Sequence, residues 1–414
     1  MATQAETKAI LEEWREHCKR VQSFTDTTVL AKETDVERDR RKARLLKNYA
    51  AFCEYYFPHF LALKDKTTGE VVRVIHNAPF HNEAARLIKA TPNLKAVFKW
   101  PRGHAKSTHM DIFVPLWLMF QPKPLIRFMV VVGKSEDAAI RLLSDIQAEL
   151  EFNQRLLADF GNQKSLGDWT EGEFTTESGV HFLACGRGQS PRGLRNRESR
   201  PDYIVIDDLD DDELCRNPSR VREMTDWVTD ALFGSLDVGR GRFIMVGNLI
   251  GKDSVLAKIS AKEGVHVSMV YAVDKNGDPV WKEKWTRKEA EEYAKFVGYR
   301  SWQKEMMHNP IQEGRSSGTS GSATRKPSRS GSTMPSSAIR TLPGSPRPPT
   351  TTRHAGCGGR RGTNCTWLTR SSARRPPGRW FAGCMTCMSA CRKMHRSVSS
   401  WRPTSSRTPS WTNS

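Results

Sequence analysis

The sequence predicts an α/β fold in which helices flank a mostly parallel sheet. Two observations carry this prediction. From Ala96 onward, short apolar runs alternate with stretches of helical spacing, a pattern typical of parallel sheets covered by helices. Two of the apolar runs also lead directly into polar residues suited to phosphate and metal chemistry, at 101–108 and at 207–208. The chemistry is therefore expected at one edge of the sheet.

The first 60 residues are expected to form a helical segment. Within residues 5–22, apolar residues recur at the spacing of an amphipathic helix: Ile10, Leu11, Trp14, Cys18 and Val21. This helix either packs on the body of the chain or offers a docking surface to a partner. A second, basic helix is expected at residues 36–56 and ends in aromatic residues.

The strands are predicted at five apolar runs: 96–100, 128–132, 180–184, 203–206 and 243–246. Helices are expected at 136–151, 220–232 and near 287–296. We therefore expect one α/β domain at 61–255 and a lid or linker at 256–314. Residues 315–414 form a separate tail.

The net charge of +19 belongs to this tail. Residues 315–414 contain 16 Arg and 2 Lys without any Asp or Glu, so the first 314 residues carry a net charge of only +1. The basic composition therefore does not identify the body as a nucleic-acid-binding domain. Ser, Arg, Thr, Pro and Gly dominate the tail, which is too poor in apolar residues for a core and is predicted to be disordered.

Residues 95–108 combine a strand, a tight loop and a helix start. Small residues let the backbone N–H groups of such a loop reach phosphate oxygens. Lys106 supplies a partner for the β- and γ-phosphates, and the Ser107 hydroxyl supplies one for Mg²⁺. Trp100 and Ala105 stand where the standard pattern has glycine, so a basic surface loop is the alternative. The predicted nucleotide-binding residues are Arg102, Gly103, His104, Ala105, Lys106, Ser107 and Thr108.

The run at 203–208 ends in two carboxylates. A buried strand would deliver Asp207 to the carboxyl edge of the sheet, near the phosphate loop, where it can hold Mg²⁺ through water. Asp208 is predicted to polarise the attacking water. The alternative is a solvated acidic turn, which is the expectation for residues 210–213. The central prediction is that Lys106 and Asp207 converge on one magnesium–ATP from the ends of neighbouring strands, as in phosphate-loop folds of the RecA or ASCE type.

Two further segments fit such a site. The run at 243–246 leads to Asn248, which suits a sensor of the γ-phosphate, although an ordinary strand end explains it equally well. Residues 186–195 form a Gly- and Arg-rich loop before the acidic strand. This loop either contacts DNA phosphates or a neighbouring subunit's nucleotide, or is merely flexible and basic.

Taken together, these motifs resemble the large subunits of bacteriophage terminases, the motors that pump viral DNA into a preformed capsid. Three segments carry the resemblance: Pro-Arg-Gly-x-x-Lys-Ser at 101–107, Ser-x-Arg-Gly-Leu-Arg at 190–195, and His-Asn-Pro-Ile-Gln-Glu-Gly at 308–314. The second precedes the strand that ends in Asp-Asp, as it does in the family. The resemblance covers about residues 60–314.

The resemblance implies an ATPase that uses ATP and Mg²⁺. It assigns Lys106 and Ser107 to the triphosphate and Mg²⁺, Asp207 to Mg²⁺, and Arg102 to transition-state charge. Many members have Glu where Asp208 stands, which leaves the water-activating role of Asp208 open. The implied partners are double-stranded viral DNA, a portal protein, a terminase small subunit and further copies of the chain in a ring on the portal.

A terminase large subunit should continue with a nuclease domain, whose two-metal site needs several acidic residues. Residues 315–414 have none, so endonuclease activity is not expected in this chain. We interpret the tail as a reading out of frame that begins near Arg315, because a shifted reading of residues 316–324 permits VFRDEWFRY. A natural Arg-rich arm is the alternative. In a shifted frame, the zinc-like spacing of Cys384, Cys387, Cys391 and His395 is accidental.

Two other functions are compatible with the sequence. One is a helicase-like phosphate-loop ATPase, which would need a second motor domain. The other is an inactive terminase remnant that acts only as a nucleic-acid-binding protein. No apolar run of 18 residues and no secretory signal are present, so the expected location is the host cytoplasm, without a membrane span.

Overall fold

A mixed β-sheet forms the centre of the structure, a computed structural model that describes residues 4–28, 32–65, 68–189 and 199–311. In chain order the strands are β1 (Ala62–Lys64), β2 (Val71–Val74), β3 (Lys95–Lys99), β4 (Phe128–Gly133), β5 (Lys164–Thr170), β6 (Glu173–Thr176), β7 (His181–Gly186), β8 (Tyr203–Asp207), β9 (Arg242–Gly247) and β10 (His266–Met269). β1 and β2 form a separate antiparallel hairpin. The other eight lie in the order β10-β3-β9-β8-β4-β7-β6-β5.

The helices cover both faces of this sheet. In chain order they are α1 (Gln4–Phe24), α2 (Asp35–Lys47), α3 (Tyr49–Tyr56), α4 (Pro58–Leu61), α5 (Pro79–Ala90), α6 (Val114–Met119), α7 (Glu136–Phe152), α8 (Gln154–Phe160), α9 (Asp212–Cys215), α10 (Pro218–Asp226), α11 (Val255–Ser260) and α12 (Arg287–Glu305). A π-helical turn, Thr108–Phe113, leads into α6, and another, Trp227–Phe233, follows α10. No described helix has the length and apolar character needed to cross a membrane.

The parallel part of the sheet is buried on both faces. Every residue of β4, β8 and β9 is buried, which is typical of parallel strands between two helical layers. Along β4, Met129 and Val131 join one apolar cluster, while Val130 and Val132 join the other. Successive residues of a strand point to opposite faces, so the two clusters are the cores on the two sides of the sheet. The predicted fold class is confirmed.

The N-terminal helices pack on the body of the same chain. α1 lies against α4 and α7, with Cys18 and Val21 buried. Thr34 begins α2 with a capping box, in which its side chain and Glu37 satisfy each other's backbone N–H groups. The amphipathic pattern of α1 therefore has a partner within the chain.

All five predicted strands are present, within two residues of the expected ends. The antiparallel strands β5 and β6 and the hairpin of β1 and β2 were not predicted. Neither was β10, which lies inside the segment expected to be a lid or linker and pairs in parallel with β3 at the edge of the main sheet. The central sheet thus extends to Met269.

Several predicted features lie outside the described residues. They include most of the Gly- and Arg-rich loop, from residue 190 onward, and the Gln-Glu-Gly end of the motif at 308–314. The whole tail at 315–414, with its zinc-like cysteines, also lies outside them. The interpretations of these segments remain predictions.

Candidate nucleotide-binding site

The loop after β3 has the backbone of a phosphate cradle. Gly103 has a φ of 74° and Ala105 a φ of 56°, so the chain passes twice through the left-handed region, which glycine favours. Neither of these two residues donates its N–H to an acceptor among the described residues. A helix begins at Lys106, directly after the loop. Unpaired N–H groups before a helix start form an anion-binding site.

Three groups from outside the loop hold its backbone. The Lys284 ammonium donates to the Gly103 carbonyl at 2.5 Å, and His81 Nε2 donates to the His104 carbonyl at 3.0 Å. The Arg102 N–H donates to the Glu305 carbonyl at 3.1 Å. These contacts come from distant parts of the sequence. Tertiary packing therefore supports the loop shape, even though Trp100 and Ala105 stand at the two standard glycine positions.

The histidines beside the loop are neutral. Burial lowers the pKa of His81 to about 3 and that of His104 to about 4. His81 Nδ1 accepts the Ala78 N–H at 3.0 Å, so the proton of the ring lies on Nε2, which donates to the loop. The His81 ring also stacks on His109, with centroids 4.0 Å apart. His104 and its neighbours therefore support the loop without adding positive charge.

The end of β8 meets the phosphate loop. The Ser107 hydroxyl donates to Asp207 Oδ2 at 2.7 Å, and Lys106 Nζ lies 3.3 Å from Asp208 Oδ2. A φ of 43° at Asp208, which Asp adopts more readily than most residues, turns the chain immediately after the strand. The four side chains converge as the sequence predicts. Their strands are not neighbours, however, because β9 lies between β3 and β8.

A third carboxyl group, that of Asp111, is buried near Asp207 and Asp208. It stands in the π-helical turn after the loop, four residues beyond Ser107. Apart from the neighbouring carboxyl group of Asp207, neither of its side-chain oxygens has a hydrogen-bond partner among the described residues. Burial and the nearby Asp207 raise the pKa of Asp111 well above its usual value. Burial and Asp208 raise the pKa of Asp207 to about 6. The protonated form is therefore favoured more strongly at Asp111 and at Asp207 than at an ordinary carboxyl group.

Asn248 follows β9 and so lies between the ends of β3 and β8. Its Nδ2 donates to Glu305 Oε2 at 2.6 Å, and its buried Oδ1 has no partner among the described residues. Gly247, the preceding residue, lies beside Asp208, since a Cβ there would stand 3.5 Å from Oδ1. The predicted sensor position is therefore adjacent to the acidic strand end.

His308, the first residue of the motif at 308–314, is buried beside Asn248. Its Nε2 donates to the Val270 carbonyl at 2.9 Å, and its Nδ1 accepts the Leu249 N–H at 3.5 Å. Burial lowers the pKa of His308 to about 4. The histidine joins the segments that follow β9 and β10, so the motif packs against the candidate site.

The oxygen ligands present fit Mg²⁺. Ser107 offers a hydroxyl, and Asp207 offers a buried Oδ1 that lacks any partner among the described residues. No group of three or more His, Cys, Asp or Glu residues in the described part of the chain is arranged to hold a metal ion. Mg²⁺ needs no such group, because it binds through one or two protein ligands together with phosphates and water. The residues therefore suit a metal that arrives with a nucleotide.

Two cavities adjoin the site. One of about 240 Å³ borders the loop at Gly103, Ala105 and Thr108, and its far walls are apolar and aromatic: Phe60, Ile75, Phe113 and Trp281. Another of about 500 Å³ extends from Asp207 and Asp208 to α1 and α7. The first has the lining expected for a flat heterocyclic ring, and the second opens the carboxylates to the surface.

Among the predicted catalytic residues, Arg102 is the one whose side chain does not contact the other site residues. It is exposed, and its guanidinium has no acidic partner among the described residues. Asp111, His81 and Glu305 are the site residues that the sequence analysis missed. Asp111 follows Ser107 by one helical turn, which is a signal within the sequence. His81 and Glu305 come from distant segments and have none.

No protein-family model matches the chain, and the curated proteins give no match either. Solved structures do match in fold. The HK97 bacteriophage large terminase is 13% identical over 64% of this chain and 55% of its own, with a TM-score of 0.39. The ATPase domain of a Thermus phage large terminase is 13% identical over 55% and 92%, with a TM-score of 0.36.

Phage large terminases are thus among the solved structures similar to the chain, as its motifs predict. The DEAD-box helicase Mss116, bound to ssRNA and UDP-BeF, also matches, at 14% identity over 49% of this chain and 41% of its own, with a TM-score of 0.32. The chain spans about half the length of the HK97 terminase. The likeness concerns the fold, and function is inferred below from the geometry of the site.

Proposed function

We propose that this chain is the ATP-hydrolysing motor subunit of a viral DNA-packaging terminase. One observation carries the ATPase part: Lys106 and Ser107 meet Asp208 and Asp207 at 3.3 Å and 2.7 Å, with Asn248 directly after the strand between them. The packaging part rests on the order of the motifs at 101–107, 203–208 and 308–314. The proposed partners are double-stranded viral DNA, a portal protein, a terminase small subunit and further copies of the chain in a ring.

The proposed chemistry follows from the four converging side chains. In the free protein the Lys106 ammonium pairs with Asp208. When a triphosphate binds, the ammonium would pair with the phosphates instead. Asp208 is then free to accept a proton from the attacking water. Ser107 and Asp207 would hold Mg²⁺, which neutralises charge that develops on the phosphates. Arg102, which is exposed beside the loop, is proposed to add positive charge to the transition state.

The cavity of about 240 Å³ is the proposed site of the nucleobase. Its lining includes Thr108, one residue after the proposed Mg²⁺ ligand, together with Phe60 and Phe113. Aromatic and aliphatic walls favour the burial of a flat ring. Phe60→Ala is therefore expected to weaken ATP binding while leaving the binding of inorganic triphosphate unchanged.

Steady-state ATP hydrolysis by the purified full-length chain tests the ATPase assignment. Lys106→Ala is expected to lower kcat by at least about 10²-fold, because a charge-stabilising group at the phosphates is lost. Lys262→Ala is the matched control, since Lys262 is exposed and precedes β10, whereas the loop follows the parallel strand β3. Equal hydrolysis by the wild type and Lys106→Ala would contradict the assignment.

The role of Asp208 is tested separately. Asp208→Asn is expected to bind Mg²⁺–ATP but to hydrolyse it at least about 10²-fold more slowly, since the amide cannot accept the proton. Asp208→Glu restores a carboxylate and is expected to retain activity. An active Asp208→Asn enzyme would move the water-activating role to another group.

Double-stranded DNA distinguishes a packaging motor from a helicase. Linear duplex DNA is expected to stimulate hydrolysis without strand separation, as measured by release of a labelled strand. Unwinding of the duplex would contradict the packaging role and support a helicase-like ATPase.

For the tail, sequencing of the gene around the Arg315 codon tests the predicted frame shift, and an intact frame there would overturn it.

A further inference from the structure

Glu305 joins three parts of the candidate site. It is the last residue of α12, its Oε2 accepts the Asn248 Nδ2–H at 2.6 Å, and its carbonyl accepts the Arg102 N–H at 3.1 Å. The same carbonyl lies 3.4 Å from Asn248 Nδ2. One residue therefore contacts the phosphate loop, the end of β9 and the C-terminal helix of the described chain.

The contact with Asn248 places a carboxylate where an anion would bind. An amide N–H bonded to a charged acceptor forms a stronger hydrogen bond than one bonded to a neutral group. The γ-phosphate of a bound triphosphate would approach the same amide, since Asn248 lies between the ends of β3 and β8. Glu305 accepts from both N–H groups of this amide, through Oε2 at 2.6 Å and through its carbonyl at 3.4 Å, so a γ-phosphate can bind the amide only by displacing one of these acceptors. Glu305 and a γ-phosphate are therefore competitors for Asn248.

We propose that Glu305 is a positioning residue that occupies Asn248 in the absence of a triphosphate and is displaced by the γ-phosphate. This inference rests on the proposed function, because it requires a triphosphate in the site. Release of the carboxylate removes one of the contacts that hold the end of α12, so that the helix responds to ATP but not to ADP. The site thereby reports the presence of the γ-phosphate to the C-terminal segment.

The anchoring of α12 supports such a response. Only Ala290 of this helix is buried, and the backbone leaves helical geometry at Gly298, with a φ of 79° and a ψ of 162°. The part after Gly298 is tied down by polar contacts, notably Lys304 to Asp212 at 3.2 Å and Glu305 to Asn248. A segment with few apolar contacts opens at low free energy. Loss of one charge-assisted hydrogen bond is therefore expected to change its local stability measurably.

Affinity and hydrogen exchange test the proposal on the full-length chain. Titration calorimetry with Mg²⁺–ATPγS and Mg²⁺–ADP gives the ratio of the two affinities. Glu305→Ala removes the competitor and is expected to raise this ratio about tenfold, as expected for one hydrogen bond to a charged group. Glu305→Gln keeps the acceptor without its charge and is expected to give a smaller rise. Glu292→Ala, on an exposed turn of the same helix, should leave the ratio unchanged.

Hydrogen exchange at residues 299–305 gives the second readout. In the wild type, ATPγS is expected to accelerate exchange in this segment, whereas ADP is not. In Glu305→Ala the segment should exchange rapidly with either nucleotide. If both Glu305 variants bind nucleotides with the wild-type ratio, and exchange does not distinguish ATPγS from ADP, the proposal is overturned. Failure of the wild type to bind either nucleotide would instead overturn the proposed function itself.

Discussion

Two buried acidic clusters of this chain differ in how their oxygens are satisfied. Asp159 in α8 accepts hydrogen bonds from Arg41 Nη1 and Nη2 at 2.6 and 2.9 Å and from the Tyr56 hydroxyl at 2.7 Å. At the carboxyl edge of the sheet, Asp111 and Asp207 leave three side-chain oxygens without a partner among the described residues. The first cluster is complete within the chain, whereas the second is not.

The difference separates a structural role from a binding role. A buried carboxylate with paired donors fixes the geometry of its neighbours, and here it ties α2 and α3 to α8. Burial, and after it the charge of neighbouring carboxylates, raises the pKa values of Asp111 and Asp207. Such an arrangement destabilises the free protein and favours the binding of a cation. The incomplete cluster is therefore the one that points to Mg²⁺.

The largest expected effect on stability is at the complete cluster. Asp159→Ala leaves the Tyr56 hydroxyl and part of the Arg41 guanidinium without acceptors in a buried site, and is expected to cost about 3–5 kcal/mol. Urea denaturation measures the free energy of unfolding. The exposed Asp168→Ala serves as the control and should change stability by less than about 0.5 kcal/mol. A loss below about 1 kcal/mol for Asp159→Ala would remove the contrast between the clusters.

At the incomplete cluster, the expected effect is smaller and has the opposite sign. The pKa of Asp207 rises from 3.8 in the unfolded chain to about 6 in the folded one. The folded state then binds the proton more tightly, so this contribution to stability is lost as the pH rises from about 4 through 6. Asp207→Asn removes the charge and should be more stable than the wild type, by about 1 kcal/mol at pH 4.5 and about 3 kcal/mol at pH 7.5.

Urea denaturation of the wild type and Asp207→Asn across this pH range, without nucleotide or Mg²⁺, measures that difference. In saturating Mg²⁺–ATPγS the wild type should instead be more stable than Asp207→Asn, because the metal then compensates the charge of Asp207. A stability difference that does not vary with pH would show that the Asp207 charge costs the folded state nothing.

The smallest effect is expected at Asp111. Burial and Asp207 raise its pKa well above the usual range, which favours the neutral acid. Asp111→Asn replaces a neutral acid with a neutral amide of similar size, and stability should change by less than about 1 kcal/mol. A loss above about 3 kcal/mol would indicate that Asp111 is ionised and paired, as Asp159 is.

Local patterns were sufficient to predict much of the fold. The apolar runs at β4, β8 and β9 are continuous and β-branched, because both faces of these strands are buried. β10 and β5 are edge strands with many exposed residues, so their sequences carry no comparable run. The order of the strands depends on contacts between distant segments, and for that reason β9 was not expected between β3 and β8.

The site shows the same limit. Lys106, Ser107 and Asp207 follow strands directly, and their chemistry is visible in short motifs. Glu305 is one of several acidic residues in α12, and nothing near it in the sequence marks it as a partner of Asn248. The weak glycine pattern of the loop also becomes intelligible only in three dimensions, since Lys284, His81 and Glu305 hold its backbone from outside.

The central claim is that Ser107 and Asp207 hold the Mg²⁺ of a bound triphosphate. The most direct test compares the affinity for ATPγS in excess Mg²⁺ with that in EDTA, for the wild type, Asp207→Asn and the control Asp168→Asn. We predict that Mg²⁺ raises the affinity of the wild type and the control by more than about tenfold, and that Asp207→Asn loses most of this gain. An equal gain from Mg²⁺ in Asp207→Asn and the wild type would contradict the account.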